Sequence, residues 1–356
     1  MKRSLILAIA MIMAIAVYSQ KEEKVVFNGA DTLHYGATLT LPEGVKKAPA
    51  VVIMSGTNPQ DRDGTMAGHK VFKEIADYLT AHGMAVLRMD DRGVGETNGN
   101  YAEATTADFA DDCIAAINYL KTRKDIDKKK IGAIGHSEGG AVISIAASIC
   151  KDIRYLISLA GLMTDGLSSL IQQNYDIVHT SPIPEHDMKR YDEINDIMFH
   201  KVYENAEADS ATLAKVLWDA YNEWKVKDDA YFKTLNIEFD HFRFPIYMYT
   251  MQATTPWYRF FIQYNPADYL CNVNVPVLAI NGTKDIMVNC EQNLSNVKKY
   301  LVHNKNVTTV PISNVNHLLL PCKKGTQDEY KDIKEPVSEE VLQTIVKWLK
   351  TNHIIK

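Results

Sequence analysis

The 356-residue chain has little of what marks the unusual protein classes. It carries five cysteines, an odd number, and no C-x-x-C pair, which argues against a zinc ribbon or a dithiol redox centre. Basic residues are not in excess: 39 Lys and Arg face 44 Asp and Glu, a net charge of −5, so no electrostatic footprint for nucleic acid is present. H-E-x-x-H, P-loop and EF-hand spacings are absent, so neither a metal nor a cofactor is implied. Repeats and low-complexity tracts are absent too. What remains is a composition of 46% hydrophobic and 23% charged residues, which is that of a globular protein and not of a disordered or small disulfide-stapled one. The length suits one large domain, or one domain carrying a sizeable insertion, with a core that needs no staple.

The one long hydrophobic run lies at the N-terminus. Lys2 and Arg3 precede apolar residues 5–17, and small Ser19 follows. A charged start, a run too short to span a bilayer comfortably and a small residue at its end read as a signal peptide over residues 1–19. No Cys follows the run to accept a lipid. The expected mature protein is exported, periplasmic or secreted, with no stable membrane insertion and a charge of −7 once Lys2 and Arg3 are removed.

Strand patterns fall at residues 24–27, 34–41, 50–55, 85–89, 130–134, 155–159, 277–280 and 307–312. The first two alternate, as an antiparallel hairpin does; the other six are short apolar runs, the pattern of parallel strands buried on both faces. Helical patterns lie between them, at residues 70–82, 106–123, 139–150, 290–302 and 338–351. Strand and helix in alternation predict an α/β fold with a mostly parallel sheet of about eight strands. One stretch breaks the alternation. From residue 162 to 265 only helical patterns occur, too long for a connecting loop, and we read it as an inserted helical cap. The core is then residues 20–161 and 266–356.

The most informative segment is Ile131-Gly-Ala-Ile-Gly-His-Ser-Glu-Gly-Gly140. A buried strand runs into G-x-S-x-G and a helix opens at once. That turn lifts the Ser137 hydroxyl off the sheet, and the new helix aims unpaired N–H groups at the reaction centre. A nucleophilic serine needs a base, and the base needs an orienting acid. His317 follows the last strand and Asp285 the one before it, both on the sheet edge where α/β proteins collect their catalytic groups. Asp165, after the strand at 155–159, is the rival acid. The adjacent His136 points elsewhere if Ser137 faces the site. The oxyanion hole draws on the N–H of Glu138 and on a second donor in the loop Gly56-Thr57-Asn58-Pro59-Gln60, where either Thr57 or Asn58 is suitably placed.

With these residues in hand the chain resembles the α/β-hydrolase superfamily, and within it the exported bacterial esterases grouped with serine aminopeptidase-like (S33-type) hydrolases. The resemblance covers residues 34–349. It rests on Thr38-Leu-Thr-Leu-Pro42, Gly56–Asp63, Arg88-Met-Asp-Asp-Arg-Gly-Val-Gly95, Gly135–Gly140 and Pro256-Trp-Tyr-Arg-Phe260. It implies Ser137 as nucleophile, Asp285 as acid and His317 as base. Relatives commonly read G-S-G-P-Q where this chain has Gly56-Thr-Asn-Pro-Gln60.

Other patterns count for less. Gly93-Val-Gly-Glu-Thr-Asn-Gly99 has the wrong spacing for a dinucleotide loop and no helix opens on it. Asp61, Asp63, Asp90 and Asp91 stand beside Arg62, Arg88 and Arg92, which suits structural ion pairs better than acid catalysis. The aromatic residues between Phe242 and Tyr264 suit the cap's own core, an acyl pocket, or both. The leading expectation is a serine hydrolase of carboxylic esters. A peptidase or amidase with the same triad comes second, and Glu185 or Asp187 could there hold a substrate amine. A non-catalytic binding module comes third. The expected partner is a small-molecule ester or short peptide; nothing indicates an oligomeric state.

Overall fold

A computed structural model describes residues 19–30 and 32–356; the expected signal peptide lies outside the described residues but for Ser19. The strands are β1 (Gln20–Asn28), β2 (His34–Pro42), β3 (Ala48–Met54), the two-residue pair β4 (Thr65–Met66) and β5 (His69–Lys70), β6 (Ala85–Met89), β7 (Ile126–His136), β8 (Leu156–Leu159), β9 (Val277–Gly282) and β10 (Val307–Ile312). Eight of them form one sheet in the order β1-β2-β6-β3-β7-β8-β9-β10. β1 and β2 pair antiparallel, β2 meets β6 antiparallel, and every pairing from β6 to β10 is parallel.

Helices cover both faces. α1 (Val71–Ala81) and the C-terminal α12 (Glu339–Thr351) lie on one; α2 (Thr106–Thr122), α3 (Gly139–Ile149) and α10 (Cys290–Tyr300) lie on the other. The strand period of two sorts the side chains between them. Val51 and Ile53 of β3 join the α1/α12 layer, while Ala50, Val52 and Met54 join the α2/α3 layer. Burial on both faces is why β3 and β6 read as unbroken apolar runs. β10 is different: it pairs only with β9, and as an edge strand it leaves Thr308 and Pro311 exposed.

Between β8 and β9 the chain forms α4 (Gly166–Thr180), α5 (Glu185–Glu204), α6 (Ser210–Thr234), α7 (Ile246–Ala253), α8 (Pro256–Gln263) and the single turn α9 (Ala267–Leu270). Near the end of α6 Lys225 bonds Asp229 one turn on, and buried Asp228 anchors that end. This helical block has a polar hub. Arg190 of α5 is 2% exposed, donates to both carboxylate oxygens of Asp228 and of Asp240, and also reaches Asp187. Its guanidinium lies 4.2 Å over the Phe242 ring. α11 (Gln327–Tyr330) sits in the loop between β10 and α12. Among the described residues no helix is long and apolar enough to cross a membrane.

Candidate active site

The carboxyl ends of β3, β7, β9 and β10 lie on one sheet edge, and the predicted residues follow them. Ser137 comes directly after β7, with φ +56°, a strained backbone that lifts its side chain off the sheet. Gly135 and Gly139 stand back to back across this bend, and a methyl group on Gly135 would collide with the Gly139 carbonyl. α3 begins two residues after the serine.

His317 sits in the loop after β10. Its Nε2 is 3.0 Å from Ser137 Oγ, and its Nδ1 is 3.0 Å from Asp285 Oδ2. The other carboxylate oxygen of Asp285 accepts the N–H groups of Met287 and Val288, each at 2.9 Å, which fixes the carboxylate's orientation. The loop around His317 is pinned from two sides. Asn316 Oδ1 accepts the N–H groups of Leu318 and Leu320, and His136 Nε2 donates to the His317 carbonyl at 2.8 Å. His136 thus turns away from the serine hydroxyl and holds the loop behind it. Burial pushes its imidazole down to about 3, so it stays neutral. With Nδ1–H directed at Asp285, His317 Nε2 is left to accept the serine proton. Asp165 is not near this group; it caps α4 by accepting the Ser168 N–H at 2.9 Å.

The loop after β3 faces the serine from the other side. A Cβ on Gly56 would come within 2.6 Å of Ser137 Cβ, so only glycine lets the loop approach so closely. Asn58, standing where relatives commonly carry glycine, has φ +74°, a conformation asparagine tolerates better than most residues. Among the described residues the N–H groups of Thr57 and Glu138 donate to no protein acceptor. Such free N–H groups beside a nucleophile can stabilise an oxyanion.

Two carboxyls hold this loop, Asp91 half-buried and Glu138 buried. Asp91 accepts the Ser55 hydroxyl at 2.6 Å and the Gln60 N–H at 2.8 Å. Burial pushes its pKa up to about 7 despite those bonds, with Asp112 and Glu138 adding repulsion. Glu138, 2% exposed, accepts the Thr57 hydroxyl on Oε2 and the Thr106 hydroxyl and Trp257 indole N–H on Oε1. Burial raises its pKa against those three bonds. Sequence reasoning used the Glu138 backbone and missed the side chain. A signal existed: Glu138 is the one acidic residue between positions 131 and 149. Asp61 accepts the Asp63 and Thr65 N–H groups, and the arginines take Asp63 and Asp90. Arg62 grips Asp90 through Nε at 3.0 Å and also reaches Glu96, Arg88 pairs with Asp63 and Glu22, and Arg92 clasps Asp112.

Ser137 and His317 open into a cavity of about 410 Å³ between the sheet edge and the helical block. Leu170, Trp257, Tyr258, Phe261 and Met287 form one apolar wall, Gln60, Gln173, Gln252 and Gln327 add polar groups, and among the described residues no Asp, Glu, Lys or Arg side chain lines it. The aromatic run divides: Trp257, Tyr258 and Phe261 face the cavity, Phe242 packs in the helical block, and Tyr247 is exposed. Among the described residues no group of three His, Cys, Asp or Glu side chains could hold a metal ion.

The same architecture recurs among solved structures. The esterase Pf2001 of Pyrococcus furiosus superposes with a TM-score of 0.55 at 16% identity, covering 94% of this chain and 91% of that one. The α/β-hydrolase GrgF from Penicillium superposes equally well, at 17% identity over 94% and 98% of the two chains. The chain has the α/β-hydrolase fold. The family model described as "Serine aminopeptidase, S33" matches residues 63–219, a span that includes Ser137 but stops short of Asp285 and His317. Esterase EstD of Thermotoga maritima is 24% identical over 312 residues, 87% of this chain; the chain spans 64% of the length of that relative.

Proposed function

We propose that the protein is a serine hydrolase that cleaves uncharged carboxylic esters through an acyl-enzyme. One observation carries the reading: the unbroken run from Ser137 Oγ through His317 to Asp285, two contacts of 3.0 Å, opening into a cavity with no charged Asp, Glu, Lys or Arg side chain among the described residues that line it. His317 Nε2 takes the Ser137 proton as Oγ bonds to the ester carbonyl carbon, and Asp285 stabilises the imidazolium that forms. The tetrahedral oxyanion sits between the N–H groups of Glu138 and Thr57, with the Asn58 N–H as the alternative second donor. His317 then returns the proton to the departing alcohol oxygen. Water, deprotonated by the same imidazole, attacks the acyl carbon and releases the acid and Ser137. The helices from residue 162 to 265 act as a cap that shapes the acyl pocket, and residues 1–19 direct the protein to the periplasm or the medium.

The match to the S33 serine aminopeptidase model favours a second reading, hydrolysis of peptides or amides with a free amine. Holding that amine calls for a carboxylate at the pocket. Glu185 is instead exposed and paired with Lys189, Asp187 is bound to Arg190, and neither lines the cavity. Turnover of p-nitrophenyl butyrate alongside leucine p-nitroanilide separates the two: the ester is expected to be cleaved and the anilide hardly at all. Faster cleavage of the anilide reverses the assignment. Ser137→Ala is expected to reduce ester turnover by at least about 10³-fold, and wild-type rates in that variant would remove the serine from the reaction.

A further inference from the structure

Glu138 occupies an unusual position for a buried carboxyl. Its backbone N–H is a proposed oxyanion donor, while its side chain reaches three other parts of the molecule. Oε2 accepts the Thr57 hydroxyl at 2.9 Å, and so holds the residue that supplies the second donor. Oε1 accepts the Thr106 hydroxyl at 2.7 Å, at the first turn of α2, and the Trp257 indole N–H at 2.8 Å, from α8 of the helical block. Trp257 is also part of the cavity wall. One carboxyl thus joins the oxyanion loop, the core and the wall against which a substrate's acyl group would lie.

A charge-capable group sunk this deep costs stability unless its bonds serve a purpose, and an apolar residue would pack the turn without that cost. No cation pairs with it among the described residues. Three neutral donors satisfy it, an arrangement that fixes geometry without adding a strong field at the site.

We propose that Glu138 is a positioning residue: its carboxyl sets the Thr57 amide at the oxyanion and ties that placement to Trp257 on the pocket wall. The proposal rests on the reading of Ser137 as the nucleophile of a hydrolase. A donor that is misplaced costs in the transition state and not in substrate binding, so the effect falls on kcat. Glutamine reproduces the network, since its Oε1 accepts from Thr106 and Trp257 while its Nε2 donates to the Thr57 hydroxyl oxygen.

The test uses the full-length protein, p-nitrophenyl butyrate as substrate, and Glu138→Ala, Glu138→Gln, Thr57→Val and Trp257→Phe variants whose folding is checked by circular dichroism. Glu138→Ala is expected to lose about 10–100-fold in kcat with KM within about threefold of wild type, and Glu138→Gln to recover most of that loss. Thr57→Val and Trp257→Phe are each expected to lower kcat, with a combined effect smaller than the product of the two, because both act through one carboxyl. Trp257→Phe removes the indole N–H together with part of the ring, leaves the Glu138 carboxyl in place, and reads the network even where Glu138→Ala does not fold. A folded Glu138→Ala or Trp257→Phe with wild-type kcat, a loss confined to KM, or a Glu138→Gln no better than alanine overturns the proposal. Those outcomes leave Ser137 labelling by a fluorophosphonate intact. A wild-type protein that neither turns over the ester nor takes the label overturns the hydrolase reading and this inference with it.

Discussion

At the scale of single residues, the candidate site is held together by carboxyls doing different jobs. Asp285 orients an imidazole, Glu138 spans three elements, and Asp91 clamps both ends of the loop between Ser55 and Gln60. Asp91 makes a testable contribution to pH dependence. Its folded pKa, about 7, lies above the ordinary value of 3.8, so between pH 4 and 7 the folded protein holds a proton the unfolded chain has lost. Stability from this group is therefore full below pH 4 and falls as the pH rises toward 7. Asn at this position can accept from Gln60 and donate to the Ser55 hydroxyl oxygen. Asp91→Asn is expected to melt close to wild type at pH 4 and higher than wild type at pH 8; equal melting temperatures at both values contradict the assignment. Which residues of the site could be read from sequence follows from distance along the chain. Ser137 announces itself because its turn is encoded in five consecutive residues. The Glu138 side chain does not, because its partners lie 32, 81 and 119 positions away. Asp91 hides for another reason: three arginines nearby suggest an ion pair, yet its partners are a hydroxyl and a backbone amide.

At the scale of elements, the helices between β8 and β9 depend on Arg190. Its guanidinium bonds two aspartates through both oxygens and reaches a third while stacking on Phe242. Removing one member of a buried ionic cluster leaves the others unpaired, a cost of about 3–5 kcal/mol. Arg190→Ala is expected to lower the urea midpoint by that equivalent and to cut ester turnover, because α8 carries Trp257, Tyr258 and Phe261 into the cavity. An unchanged midpoint would mean that the cluster contributes no net stability. The strands of the parallel sheet were legible because burial on two faces demands continuous apolar runs, as in Val51-Val-Ile-Met54. β10 was grouped with them in Val307–Ile312 but is an edge strand, a position that Pro311, with no N–H to give a second neighbour, already signals. β4 and β5, two residues each, are too short to carry a period.

At the scale of the whole molecule, the fold brings residues 57, 137, 285 and 317 to one sheet edge and sets a helical block against them. The distances between Ser137, His317 and Asp285 describe a serine ready to lose its proton, and the uncharged cavity favours a neutral acyl group. The central claim is that Ser137 carries the acyl group. It is tested most directly by acid-quenching the protein during turnover of p-nitrophenyl butyrate and mapping the adduct by peptide mass spectrometry. A butyryl group is expected on Ser137 and absent from Ser137→Ala. A butyryl group on another residue, or ester turnover that persists in Ser137→Ala, would contradict it.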